Sequence, residues 1–280
     1  MTKLLPRSFA AAVLSVALGT LAGCEEKTEA PAAAPAAAAP AAAPSATPTP
    51  TSAAAPAGPT TGYQELAVTG GGTVSGKVIF EGAKPTLPLE KRNKDPNVCG
   101  KDSPNETLIV GAGGGVKNVI VYLKDIHQGK KFVPAAGSLD QIKCSYAPHV
   151  QALPVGSTLT VINSDPVLHN VHASLGAETV FNYAMPIKNQ KIPKKLIKVG
   201  FVKLKCDVHG WMNGAIGVME SPYFAVTGDD GSFSLTDVPP GSYTVASWHE
   251  RNGEQSQKVT VTAGGTATAN FKVTGASAAE

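Results

Sequence analysis

The chain has 280 residues and a formal net charge of +3, from 24 Lys+Arg against 21 Asp+Glu. A balance this close to zero excludes a global nucleic-acid binder, which needs a basic face and a larger charge excess. Gly (29) and Pro (22) are abundant while aromatic residues make only 6% and charged residues 16%, which points to a turn-rich β protein joined to something unstructured. The chain opens with Lys3 and Arg7, then an apolar stretch over 9–18, then small residues around Leu21-Ala22-Gly23-Cys24. A positive start, a short apolar run and small residues before a cut read as a secretory signal, too short to span a membrane.

The Leu-Ala-Gly-Cys motif at 21–24 also resembles the lipobox of bacterial lipoproteins. That resemblance implies cleavage after residue 23 and lipid attachment at Cys24, and several acyl chains would anchor the protein stably. Glu25 and Glu26 follow where an Asp would resemble an inner-membrane retention signal, so an outer-membrane anchor facing the periplasm is expected. From Ala30 to Pro59, 16 residues are Ala and 8 are Pro. Such a segment buries too little to fold, and its prolines break any Ala helix, so 24–61 reads as a lipidated tether. In polyproline II form it would reach roughly 100 Å.

From residue 62 onward, alternation with period 2 dominates. Val74, Gly76, Val78 and Phe80 share a face, as do Val119, Val121 and Leu123, Leu159 and Val161, Val259 and Val261, and Phe271 and Val273. Gly113-Gly114-Gly115, Pro154-Val155-Gly156, Asp229-Asp230-Gly231, Pro239-Pro240-Gly241 and Gly264-Gly265 separate the runs. Many short strands between Gly/Pro turns predict an all-β chain of two sandwiches.

Two resemblances suggest the layout. The stretch 225–233 (AVTGDDGSF) and then 238–245 (VPPGSYTV) resembles the carboxypeptidase regulatory-like, transthyretin-like sandwich, whose opening strand resembles 72–78 and whose next strand resembles 115–123. Residues 146–149, 153–165 and 169–171, together with 202–212 and 214–218, resemble a small cupredoxin. One layout inserts a cupredoxin-like domain at 139–220 between two parts of the regulatory-like sandwich, 62–138 and 221–275. The alternative is tandem, with a cupredoxin over 62–220 and a separate domain over 221–275.

The cupredoxin resemblance implies one copper ion, Cu(I)/Cu(II), held by two His, a Cys thiolate and a weak axial Met, the donor set of blue-copper sites. His169 precedes Asn-Val as the first family ligand does, and Cys206, His209 and Met212 share one short loop. Asn170 resembles the family Asn that ties the two ligand loops together. The gap from His209 to Met212 is shorter than in most mononuclear sites and resembles the loop of binuclear copper centres, but only one cysteine lies on it. Met185 is therefore an alternate axial candidate, and His172 an alternate imidazole, although on a regular strand it faces away from His169.

In an oxidising compartment Cys99 and Cys144 are expected to pair, which leaves Cys206 as the free thiol; a second metal at Cys144 and His149 is the alternative. Seven lysines lie between 188 and 205 with no acid among them. They suit either a solvated edge or an electrostatic docking patch, with Lys194, Lys195, Lys198 and the nearby Trp211 as candidate docking residues. No haem-attachment Cys-x-x-Cys-His, phosphate loop or Gly-x-Ser-x-Gly elbow is present, and Asp95, Asp102, Asp165 and Glu178 show no pairing in the sequence. The expectation is a non-enzymatic, lipid-anchored periplasmic electron-transfer protein exchanging electrons with a cytochrome or another redox protein. The alternatives are a copper-handling protein without redox turnover and a metal-free adhesive or polysaccharide-binding sandwich.

Overall fold

The computed structural model describes residues 62–275. The signal, Cys24 and the Ala/Pro segment read above lie outside the described residues. Strands dominate, and the helix among them is the single turn Pro96–Cys99. No helix of the described residues is long and apolar enough to cross a membrane.

The strands form two sandwiches. In the first, one sheet runs in the order Phe224–Val226, Ile120–Lys124, Gly241–His249, Gly253–Val261. The other places Ser232–Val238 and Thr266–Thr268 on either side of Gly72–Phe80, with Phe271–Val273 continuing alongside that strand in parallel. Alternation along Gly72–Phe80 turns Val74 and Val78 inward against Val121, Leu123, Phe233, Leu235, Val245 and Phe271. Gly76 shares their face for a steric reason. A Cβ there would lie 1.6 Å from the Ala269 carbonyl oxygen, so only glycine admits the segment that joins Thr266–Thr268 to Phe271–Val273. Strands from before residue 125 and from after residue 223 thus share both sheets of this sandwich.

The second sandwich is built from the residues in between. Its five-stranded sheet runs Glu178–Met185, His169–Leu175, Gly200–Lys205, Asn213–Met219, Val150–Pro154, and its four-stranded sheet Gln190–Lys195, Thr158–Asn163, Ala136–Ile142, Ser145–Ala147. Its first strand begins at Ala136, three residues ahead of the boundary read from the sequence. Leu139, Leu159, Val161, Val171, Ala173, Val202, Leu204, Ile216 and Val218 fill its core. Ile120 and Trp248 of the first sandwich pack with Val150, Ala215 and Met219 of the second in a small apolar cluster. Phe201 stacks on Trp248 there, with centroids 4.5 Å apart and planes 4° from parallel. A pair of this geometry adds about 0.5–1.5 kcal/mol beyond area burial.

Candidate metal centre

At one end of the second sandwich the core turns polar. His169 opens the strand His169–Leu175, and Cys206 follows the last residue of Gly200–Lys205. The loop from Cys206 to Met212 closes on itself: the Cys206 amide donates to the Met212 carbonyl (3.1 Å) and the Met212 amide to the His209 carbonyl (2.9 Å). The ladder that pairs Lys205 with Asn213 holds the loop at both feet. Since Gly200–Lys205 also pairs with His169–Leu175, the loop lies beside His169.

The three side chains meet. Nδ1 of His169 is 3.0 Å from Nδ1 of His209, and Cys206 Sγ is 3.9 Å from the latter. All three ligand atoms lie within 4.8 Å of one another, and none of the residues is more than 2% exposed. The sulfur accepts from the backbone N–H groups of His209 (3.4 Å) and Asn170 (3.5 Å), which fix its position. Asn170 joins the two ligand segments: its Oδ1 accepts from the Asp207 amide (2.5 Å) and its Nδ2 donates to Asp207 Oδ2 (3.1 Å).

The outer nitrogens are held by carboxylates. His169 Nε2 lies 2.9 Å from Asp165 Oδ2, and His209 Nε2 lies 2.8 Å from Asp95 Oδ2. Asp165 is itself fixed, accepting from the amides of Lys143 and Cys144, each at 2.8 Å. With each Nε2–H given to a carboxylate, the Nδ1 lone pairs of both rings point into one small space. The two Nδ1 atoms, 3.0 Å apart, can share a hydrogen bond or act together as ligands, and a carboxylate behind each imidazole is the usual support of a metal-bound histidine. Two imidazoles and a thiolate suit copper. Burial pushes the pKa of His169 down, against the opposing pull of Asp165, which keeps its ring neutral as a ligand must be.

The other predicted residues are placed as follows. Met212 is buried, at the end of the Cys206 loop and in the same core cluster as Cys206. Met185 is fully buried and sits opposite His169 in register, with its sulfur 3.1 Å from the Gln141 amide nitrogen. His172 turns outward, its Nδ1 on Asp207 (3.1 Å) and its Nε2 on Thr179 (3.0 Å), away from the three converging atoms. Cys99 and Cys144 form a disulfide, and Cys206 is the free cysteine among the described residues. His149, weighed above as a partner of Cys144 in a second metal site, instead binds Glu250 (2.5 Å).

Trp211 stands edge-on to the His209 ring at 5.0 Å and donates its Nε1–H to the Cys144 carbonyl (3.0 Å), so it covers the site rather than standing free. Lys195 is exposed, Lys194 lies over the Phe181 ring at 5.6 Å, and Lys198 pairs with Glu178. Lys205 pairs with Asp207, so the lysine run is partly neutralised by acids that flank it in the sequence.

Sequence reasoning left Asp95 and Asp165 without partners. Asp165 stands four residues before His169, a spacing that could have flagged it. Asp95 carried no local signal, because it lies 114 residues from His209.

Residues 216–274 match the family model of the carboxypeptidase regulatory-like domain. The match holds the later strands of the first sandwich and omits Gly72–Phe80 and Ile120–Lys124, which complete the same sheets. No curated protein matches the sequence. Among solved structures the chain is similar to a copper-containing nitrite reductase from Thermus scotoductus SA-01, at 21% identity over 33% of this chain and 24% of that one, with a TM-score of 0.28. It spans about a quarter of that enzyme's length. It is also similar to a purple cupredoxin from Nitrosopumilus maritimus, at 21% identity over 30% of this chain and 99% of that one, with a TM-score of 0.26. A third similar structure is an amicyanin mutant in its reduced state, at 27% identity over 30% of this chain and 82% of that one, with a TM-score of 0.27.

Proposed function

We propose that this chain is a lipid-anchored periplasmic copper protein that carries electrons and catalyses no reaction of its own. The observation that supports it is the buried convergence of His169 Nδ1, His209 Nδ1 and Cys206 Sγ. Copper bound there would supply reversible one-electron chemistry. Cys206 would provide the sulfur, held by two amide N–H groups, and His169 and His209 the imidazoles. Met212 would complete the donor set in this reading, since the loop that carries Cys206 returns at Met212; Met185 is its alternate. Burial excludes water, and the carboxylates fix ring orientation, so little has to move when an electron arrives or leaves.

The anchor at Cys24 and the Ala/Pro tether suit a carrier that meets partners at the envelope. An acidic face on a cytochrome or another periplasmic redox protein would dock against the exposed Lys188, Lys191 and Lys195. A copper-handling protein is the less fitting reading, because metal transfer needs an open ligand and His169 and His209 are both fully buried.

The experiment is a visible and EPR spectrum of the full chain after Cu(II) loading, beside Cys206→Ala. An intense thiolate-to-copper band is expected in the wild type and complete loss of it in the variant. A colourless wild type, with metal content equal in both proteins, would sink the electron-carrier reading and leave a metal-free sandwich on a tether.

A further inference from the structure

The two histidines of the centre are supported by carboxylates of different origin. Asp165 belongs to the second sandwich. Asp95 belongs to the long connection between Gly72–Phe80 and Ile120–Lys124, two strands of the first. That connection crosses to the second sandwich and places Asp95 at the start of the turn Pro96–Cys99, in a left-handed conformation (φ 49°) that Asp tolerates better than most residues. The Asp95 carbonyl accepts from the amides of Val98 and Cys99, each at 2.9 Å, so carboxylate and cysteine ride on one rigid turn.

What holds this turn against the second sandwich is covalent. Cys99 is bonded to Cys144, whose amide donates to Asp165. The bridge therefore links the carrier of one carboxylate to the partner of the other. His209, Asp95, Cys99, Cys144, Asp165 and His169 form a closed ring, completed by the 3.0 Å approach of the two Nδ1 atoms. The sulfurs of Cys99 and Cys144 and a ring nitrogen of His209 lie within 4.8 Å of one another. Arg92 staples the same junction, its Nη1 donating to the carbonyls of Cys99 (2.6 Å) and Lys143 (2.8 Å) and its Nη2 to Ser145 Oγ (2.9 Å). His209 is fully buried although it lies on a loop, and Asp95 covers its outer nitrogen.

We propose that Asp95 is a positioning residue for the metal centre and that the Cys99–Cys144 disulfide is the clamp that holds it on His209. The inference rests on the copper reading above and adds a device to it. The His209 edge is shut, so metal is retained and its release requires the Asp95 turn to lift. The disulfide and Asp95 act in series, so removing both does no more than removing Asp95.

The test loads the full chain with Cu(I) and measures metal transfer to excess bathocuproine disulfonate. Asp95→Ala and Cys99→Ser/Cys144→Ser are each expected to release copper about 10- to 100-fold faster than wild type, the usual penalty for losing the support of a ligating histidine. Asp95→Asn keeps an oxygen acceptor for Nε2–H and should recover most of the wild-type retention. The triple variant with Asp95→Ala should release no faster than Asp95→Ala alone. Wild-type release from Asp95→Ala, or a full extra factor in the triple variant, would overturn the proposal. Should the cysteine pair variant fail to fold, the contrast between Asp95→Ala and Asp95→Asn decides with the disulfide intact. Should the wild type bind no copper, the copper reading falls and the clamp is judged in the metal-free chain. The His209 Nε2–H, followed by NMR, must then exchange slowly with solvent in wild type and fast in Asp95→Ala; equal exchange rates refute the clamp.

Discussion

The two sandwiches share an architecture and differ in what they bury. The first is filled by Val, Leu and Phe, with Tyr223 as its largest fully buried side chain and the hydroxyl of that residue satisfied by the Lys130 amide and the Asp237 carbonyl, each at 2.9 Å. The second has the same kind of core but ends in a buried cluster of Gln141, Asn163, Asp165, His169, Asn170, Cys206 and His209. Burying so many polar groups costs free energy unless each is paired. The first sandwich also buries polar groups, Thr227, Ser247 and His249 among them, but among the described residues the His–Cys convergence lies in the second. The first sandwich still takes part, since the connection leaving its strand Gly72–Phe80 carries Asp95.

The contrast can be broken from either side. Phe233→Ala should have the largest effect on stability, about 3–5 kcal/mol, because it opens a cavity in the apolar core of the first sandwich. Denaturant unfolding reads that loss. The spectrum of bound copper should stay unchanged; a shifted band would mean that the two cores are not separable. Asp165→Ala should do the reverse, lowering copper affinity by about 10- to 100-fold with little effect on the first sandwich, as measured by competition with a chelator. An unchanged affinity would remove Asp165 from the support of His169.

The smallest expected effect lies where the two regions meet. Burial works against the charged form of His149, but the hydrogen bond to Glu250 and the nearby Glu106 and Glu90 outweigh it and raise its pKa. His149 precedes a strand of the second sandwich and Glu250 follows a strand of the first, so the pair ties them together. Because the folded pKa lies above the unfolded one, this contribution is fully present below the unfolded pKa of about 6.5 and is lost as pH rises through the folded value. Glu250→Gln should flatten that part of the dependence of Tm on pH and lower Tm below it by about 2–4 °C, the equivalent of ~1 kcal/mol in a chain of this size. Parallel profiles for the two proteins would show that the pair contributes nothing.

Much of this was legible in the amino-acid order because it is local. Alternating Val and Phe around Gly/Pro turns specify strands, since side chains of period 2 share a face. The regulatory-like segment was visible in 225–245, and the family match extends from 216 to 274. Cys206, His209 and Met212 stand on one short loop, so their proximity follows from chain connectivity alone. Pairing of Cys99 with Cys144 was the expectation once the cupredoxin resemblance had set Cys206 aside, and the structure contains that bridge. Tertiary structure alone decided which nitrogens converge, which sulfur lies beside them and which carboxylates stand behind the rings. Asp95 reaches His209 across 114 residues because a disulfide and Arg92 hold its turn in place, and no sequence period encodes such a contact. His172 follows the same logic in reverse: three residues from His169, it faces the opposite side because a strand alternates. Local pattern therefore determined the strands and the donor types, while packing of distant segments decided how the site is closed.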